Sequence, residues 1–316
     1  MIVTITMNPA LDKSTVIEKL VTEKKLRCSE ITIEAGGGGI NVCKAIKKLG
    51  GDGMVVFPYG GTNGELLIQL LADEDISFKA VPVLSATRES FTVTEFASNA
   101  QYRFVPPGGS LTDKDLQNCL EAITSINPPP QIIVVSGSLP AGVPDAFFAM
   151  VAVLSKKMGA KCIIDTSGKP LQLAAKEGVY LLKPNLTELC SLVGKSFLQL
   201  NEVEDAAYEV IQRGHCEVMV VSMGPAGALL ITKTEHERII APTVKKLTTV
   251  GAGDSMVGGM AWMLEQSAGL SEIVRFGVAC GTAATMNQDT GLFNKNDAFK
   301  LYDWINHYSN RTVTHI

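Results

Sequence analysis

No two cysteines in this 316-residue sequence stand in a C-x-x-C spacing, and the seven that occur, at 28, 43, 119, 162, 190, 216 and 280, are dispersed and odd in number. That pattern excludes a disulfide framework and points to a reducing, cytoplasmic setting. The four histidines, at 215, 236, 307 and 315, show no ligand spacing with cysteine, so a structural metal is not expected. No hydrophobic run reaches the length of a bilayer span; the longest is AFFAMVAVL at 146–154. The opening stretch MIVTITMNPALDKS lacks the basic region of a signal peptide, and its apolar residues alternate with Thr as in a strand. Acidic residues are in only small excess, with a net charge of −4. General binding to nucleic acid or to an anionic membrane is therefore not expected, and an anionic partner would have to be small and held in a local basic pocket.

What is present is a large apolar fraction, 46% against 19% charged, enough to bury a substantial core. The length fits one main domain over 1–316 with a small insertion. Short β-branched runs, IIVV at 132–135, CIID at 162–165, YLL at 180–182 and VMVV at 218–221, alternate with helical patterns. This is the signature of an α/β fold, a mainly parallel sheet covered by helices. Ligands of such sheets bind beyond the carboxyl ends of the strands, and there the sequence reads SGSLP, DTSG, KPNLTE and SMGPAG. One stretch, 89–105, breaks the alternation and predicts two strands joined by a Ser-Asn turn. With the strand-like 13–35 it forms a small separate sheet, and after Ala241 the pattern becomes mainly helical.

Residues 34–42 read EAGGGGINV, followed by Val42, Ala45, Ile46 and Leu49 at helical spacing and by Gly50-Gly51 as a C-cap. The spacing predicts a helix from Ile40 or Asn41, preceded by glycines whose open backbone and unpaired amides suit a polar ligand such as a sugar. A flexible turn is the plainer reading of a Gly-Gly pair, but four glycines in succession favour ligand contact. A dinucleotide fingerprint fails, because G-x-G-x-x-G counted from Gly36 meets Asn41. In TTVGAGDSMVGGM, 248–260, Gly251, Ala252 and Gly253 present amides at the start of a second helix with Asp254 beside them. An anion hole next to a carboxylate suits phosphoryl transfer; alone, Asp254 reads as a first-turn helix acid. Lys183 in KPNLTE suits phosphate, and Asn185 with Glu188 suits hydrated Mg²⁺, although a polar strand-end loop is the commoner meaning of such a run. VGKS at 193–196 is no P-loop, since Leu189 stands where its first glycine belongs, and no G-x-S-x-G elbow occurs.

Taken in order, GGGGINV, SGSLP, KPNLTE, SMGPAG and TVGAGDS resemble the ribokinase-like (PfkB) sugar kinase family over residues 2 to 290. NPALDKS, KLRC, ATRES and QYRFVPPGG look most like its bacterial 6-phosphofructokinase branch. Members acting on fructose 1-phosphate or tagatose 6-phosphate usually carry Lys in the third place of the glycine run, where this chain has Gly38. The resemblance implies a three-layer α/β kinase with a small β-sheet lid at about 13–35 and 88–105, which often pairs two copies into a homodimer. It implies ATP-dependent phosphorylation of fructose 6-phosphate at its 1-hydroxyl, with tagatose-6-phosphate kinase, 1-phosphofructokinase and a catalytically silent nucleotide or sugar sensor as the alternatives. Asp12, Gly37, Gly38 and Asn41 would hold sugar hydroxyls, and Lys25, Arg27, Arg88 and Ser138 would surround the substrate phosphate. Lys183, Asn185, Ser222, Gly224 and Gly227 would serve ATP, with Asn185 and Glu188 on Mg²⁺ through water. Asp254 would be the base and Gly251, Ala252 and Gly253 the anion hole. Thr248, Val250, Ala284 and Asn287 would frame a potassium site, where NQDTG departs from the family pattern at Asp289 and Gly291.

Overall fold

The computed structural model describes residues 1–287 and 292–312. Nine strands form the main sheet: β1 (Ile2–Ile5), β4 (Gly53–Tyr59), β5 (Ser77–Pro82), β8 (Ile132–Ser136), β9 (Lys161–Asp165), β10 (Val179–Leu182), β11 (Cys216–Ser222), β12 (Ala228–Ile231) and β13 (His236–Ile239). Four more, β2 (Ala10–Ile17), β3 (Thr32–Gly36), β6 (Arg88–Glu95) and β7 (Gln101–Phe104), form a second sheet in the order β3-β2-β6-β7. The main sheet runs β13-β12-β11-β10-β9-β8-β1-β4-β5, parallel except where β12 and β13 turn back along its edge. All four strands read from the sequence lie in it side by side.

Its central strands are apolar on both faces because both are covered. Ile132, Val134, Ile163, Leu181, Val218 and Val220 pack on the side of helices α1 (Gly38–Leu49), α8 (Ala252–Glu265) and α9 (Leu270–Ala284). Ile133, Val135, Ile164, Leu182, Met219 and Val221 pack on the opposite side with α3 (Asp113–Thr124), α4 (Phe147–Lys157), α5 (Gly168–Lys176), α6 (Leu186–Val193) and α7 (Val203–Gln212). The result is the three-layer arrangement expected, and the run AFFAMVAVL supplies most of the buried face of α4. No helix among the described residues is long and apolar enough to cross a membrane.

Three local expectations change. Helix α1 starts at Gly38, two residues ahead of Ile40, with Gly37 as its N-cap and the Ile40 amide donating to Thr6 Oγ1. Its far end is as read, with Gly50 left-handed at φ 89 and Lys47 and Lys48 in the last turn. The strands of the 88–105 hairpin are joined by the five residues 96–100, with Asn99 at φ 56, instead of by a two-residue Ser-Asn turn. The stretch 13–35 is strand only at its two ends. Lys25 and Arg27 therefore lie on an irregular link between β2 and β3, tied to the second sheet on either side of them by Leu20, Cys28 and Ser29.

Candidate active site

The order of the main sheet reverses between β1 and β8. From β1 the chain passes through β2, β3 and α1 to β4 on one side, whereas β8 to β11 step away on the other. The resulting crevice at the carboxyl ends of the strands is where such sheets bind ligands. Asn8 follows β1 and Ser138 follows β8, and the Asn8 amide Nδ2 donates to Ser138 Oγ across the gap at 3.2 Å.

The glycine run fills one wall of this crevice, and close packing against neighbouring elements is one demand on it. A Cβ on Gly36 would lie 1.8 Å from Asp12 Oδ2, and one on Gly38 would lie 2.5 Å from Ser136 Oγ and 2.6 Å from Gly137 N. On Gly39 it would fall 2.4 Å from the Ile5 carbonyl oxygen. The space beyond these Cα atoms is taken by the protein's own atoms, so these glycines let α1 be driven into the crevice. The Ile40 amide then donates to Thr6 Oγ1 at 2.8 Å. One turn in, Asn41 Nδ2 donates to Asp254 Oδ2 at 2.9 Å. Asn41, expected on a sugar hydroxyl, here orients the carboxylate.

Asp254 stands in the first turn of α8, after an N-cap Gly251 at φ 71 that swings the chain from the loop into the helix. Ser136 Oγ donates to its Oδ1 at 3.3 Å. Burial, and then the nearby Asp165 charge, push its carboxyl up to about 6, while Asn41, Lys183 and Ser136 pull it back. A carboxylate so poised can take a proton near neutral pH. The adjoining Gly253 is exposed, and a Cβ there would meet nothing nearer than Lys183 Nζ at 3.7 Å. Unlike Gly36, Gly38 and Gly39, this glycine leaves open space at the amino end of its helix, as an anion hole requires.

Lys183 is buried at the end of β10 and pairs with Asp165 Oδ1 of β9 at 3.1 Å. Burial pulls its ammonium down, but Asp165, Glu188 and Asp254 outweigh that and raise it, so the lysine stays charged. Asn185 and Glu188 form a capping box on α6: Asn185 Oδ1 accepts from the Glu188 amide and Glu188 Oε2 from the Asn185 amide, each at 2.9 Å. The plainer meaning of KPNLTE thus holds for the backbone. Burial and Asp165 raise the Glu188 carboxyl. Among the described residues no three His, Cys, Asp or Glu side chains gather as a protein-only metal site would need. A divalent ion beside Glu188 would take its remaining ligands from water and phosphate, as Mg²⁺ does.

Beside the amino end of α8 lies a cavity of about 370 Å³, lined by Ser222, Gly224, Gly227, Gly253, Met256 and Thr282 among others. That volume suits a nucleotide-sized ligand. Toward the second sheet, Arg88 donates through Nη2 to the Asn8 carbonyl at 3.1 Å and through Nη1 to the Pro106 carbonyl at 3.2 Å. Asp12 is raised by burial, against the pull of Ser90, Arg88, Arg103 and Lys44. Lys25 and Arg27 are not brought to Arg88. Both are exposed, with no hydrogen bond or ion pair among the described residues.

Of the four residues expected around a monovalent cation, Thr248 and Val250 precede α8, and Ala284 and Asn287 close α9. The Thr248 hydroxyl donates to Gln101 Oε1 at 3.1 Å and accepts from the Val250 amide at the same distance, so the second sheet touches this loop. Asp289 and Gly291, where the run departs from the family pattern, lie outside the described residues. Three site residues were missed by sequence reasoning: Asn8, Ser136 and Asp165. Their shared signal is a polar side chain at the carboxyl end of a central strand.

The model of the pfkB family of carbohydrate kinases matches residues 3–296. The chain is 42% identical over 305 residues to the ATP-dependent 6-phosphofructokinase isozyme 2 of Escherichia coli K12, covering 96% of this chain and 98% of that one. Among solved structures, phosphofructokinase-2 from Escherichia coli in complex with potassium superposes with a TM-score of 0.93 at 42% identity, over 96% of this chain and 99% of that one. The same enzyme in complex with fructose 6-phosphate gives a TM-score of 0.91 at 40% identity over the same shares of the two chains.

Proposed function

The chain belongs to the pfkB family of carbohydrate kinases, and from that membership we propose that it is an ATP-dependent 6-phosphofructokinase, converting fructose 6-phosphate to fructose 1,6-bisphosphate in the cytoplasm. The observation that carries the chemistry is Asp254, raised to about 6 and oriented by Asn41 and Ser136 at the head of a helix whose amides open toward a nucleotide-sized cavity. Asp254 takes the proton of the sugar's 1-hydroxyl as that oxygen attacks the γ-phosphate. The Gly251–Gly253 amides and the charged Lys183 stabilise the negative charge on the transferring group. Ser222, Gly224 and Gly227 line the ATP cavity. Asn185 and Glu188 would hold Mg²⁺ largely through water, and the ion would supply positive charge against the ATP phosphates. Potassium near Thr248, Val250, Ala284 and Asn287 suits the hydroxyl and carbonyl oxygens of those residues. The whole chain acts as one kinase body with the second sheet as its lid.

ADP release, measured with fructose, fructose 1-phosphate, fructose 6-phosphate and tagatose 6-phosphate at one ATP concentration, tests this reading. Fructose 6-phosphate is expected to be the preferred substrate. Preference for fructose 1-phosphate would overturn the assignment, and no ADP from any sugar would favour a silent sensor.

Arg88 anchors the phosphate end. It is held by two backbone carbonyls, and its Nε is buried without a partner, so a phosphate would complete its hydrogen bonding. Arg88→Ala is expected to reduce kcat/KM for fructose 6-phosphate at least about tenfold, and to do so much less for fructose. Equal losses on the two sugars would sink the phosphate role.

The lid carries the surface that would pair two copies into a homodimer. Ile33, Lys13, Phe91 and Phe104 form one cross-strand row on the face opposite Asp12 and Ser90, with Ile33 and Phe104 exposed. A four-stranded sheet with three apolar side chains in one outer row gains by covering them with a second copy. Analytical ultracentrifugation should give a dimer that Phe104→Asp shifts toward monomer; a fully active wild-type monomer would refute the pairing.

A further inference from the structure

One side chain bridges the crevice without a part in the reaction just described. Asn8 is 8% exposed and follows β1 at the point where the sheet order reverses. Its Nδ2 reaches Ser138 Oγ from the β8 side at 3.2 Å, while its carbonyl oxygen accepts from Arg88 Nη2 at 3.1 Å. Gly108 closes against the remaining atom of the amide: a Cβ there would lie 2.1 Å from Asn8 Oδ1. Asn8, Arg88, Thr87, Gly108 and Pro140 line one small cleft, and Ser138, the partner of the Asn8 amide, is exposed.

The direction of the Asn8 to Ser138 hydrogen bond matters chemically. An amide N–H donates and cannot accept, so the Ser138 oxygen is the acceptor and its own proton is left for another partner. An O–H with its proton free, beside an arginine with an unpaired Nε, makes a donor pair for an anion. We propose that Asn8 is a positioning residue for the sugar's remote phosphate, presenting Ser138 as a donor through its side chain and seating Arg88 through its backbone. The inference rests on the 6-phosphofructokinase reading. It sets Asn8 apart from a residue that merely fills the crevice, because polarity matters as well as shape. An aspartate of the same size accepts the Ser138 proton, takes it away from the ligand and puts a negative charge beside the phosphate.

The test compares wild type with Asn8→Asp, Asn8→Ala, Ser138→Ala and the double variant Asn8→Ala with Ser138→Ala. Steady-state kinetics on fructose 6-phosphate and on fructose, with calorimetric titration of fructose 6-phosphate in the absence of ATP, supply the readouts. Asn8→Asp is expected to raise KM for fructose 6-phosphate on the order of a hundredfold. Its kcat at saturating sugar and its KM for ATP should stay near wild type, and fructose should be affected far less. Asn8→Ala should raise the same KM about tenfold, with Ser138→Ala adding little on top of it, since both remove one shared interaction. Additive losses in the double variant, an unchanged KM in Asn8→Asp, or equal losses on fructose and its 6-phosphate would each overturn the proposal. Should Asn8→Ala fold poorly, the isosteric Asn8→Asp still decides it. Wild-type turnover of fructose 6-phosphate reads the parent assignment alone, so failure of the parent and failure of the inference are separate results.

Discussion

Asp254→Asn is expected to lower kcat by roughly 10²-fold or more, because it removes the proton acceptor while keeping the side-chain volume. KM for ATP should hardly move, since the cavity beside α8 is lined by other groups. In the wild type the same carboxyl sets an acid limb. With its pKa raised to about 6, kcat/KM should fall as pH drops through that value and level off above it, and the variant should lose the limb along with the activity. Stability should change in the opposite direction. A carboxyl held above the ordinary 3.8 binds its proton more tightly in the folded than in the unfolded chain, so its contribution is fully favourable below that value and is lost as pH rises through about 6. Asparagine carries no such penalty at neutral pH, so Asp254→Asn should melt no lower than wild type at pH 7 and lose any advantage below pH 4. Normal turnover in the variant, or an acid limb that survives the substitution, would remove Asp254 from the role of base.

The sequence made the main sheet legible because buried parallel strands are written as unbroken apolar runs. IIVV, CIID, YLL and VMVV needed no tertiary knowledge to be placed at β8, β9, β10 and β11. Asp254 and the Gly251–Gly253 loop were equally plain, since a glycine-rich segment that opens a helix is a local feature. The glycine run was equally plain, but its packing reason was not. That reason lies in Ile5, Asp12, Ser136 and Gly137, which come from other strands and meet α1 only after folding. Asn41 illustrates the same limit: its partner Asp254 is 213 residues away in the chain. Lys25 and Arg27 were drawn toward Arg88 by their charge, yet an irregular link holds them exposed, and nothing in residues 18–31 marks where β2 would stop. Asp165 and Ser136 open the strand-end runs DTSG and SGSLP, but the runs do not say which of their residues face the site. The two are recognised only once β8, β9 and β10 are known to be neighbours, which puts Asp165 against Lys183 and Ser136 against Asp254.

The contrast between two kinds of glycine leads to the second large effect. Gly253→Val should lower kcat roughly 10²- to 10³-fold in a protein that folds normally. The position lies inside α8 with no positive φ to strain a side chain, and replacing a helical glycine does not weaken the helix. A Cβ there meets only the end of Lys183, at an ordinary contact distance of 3.7 Å. The valine branches stand instead over the free amides, in the space the transferring phosphate must enter, so the loss falls on chemistry and leaves the melting temperature near wild type. Gly38→Ala is the matching control. Its single added carbon would sit 2.5 Å from Ser136 Oγ and 2.6 Å from Gly137 N, and the second of these is backbone that cannot swing aside. That variant should melt at a lower temperature, and its activity should fall with the displacement of α1 and of the Asn41 contact to Asp254. Thermal melts and steady-state kinetics on the two proteins separate the cases. If Gly253→Val turned over normally, the GAGD loop would be a turn and nothing more. If it melted as low as Gly38→Ala, its loss of activity would be a folding defect and the anion hole would have to be sought elsewhere.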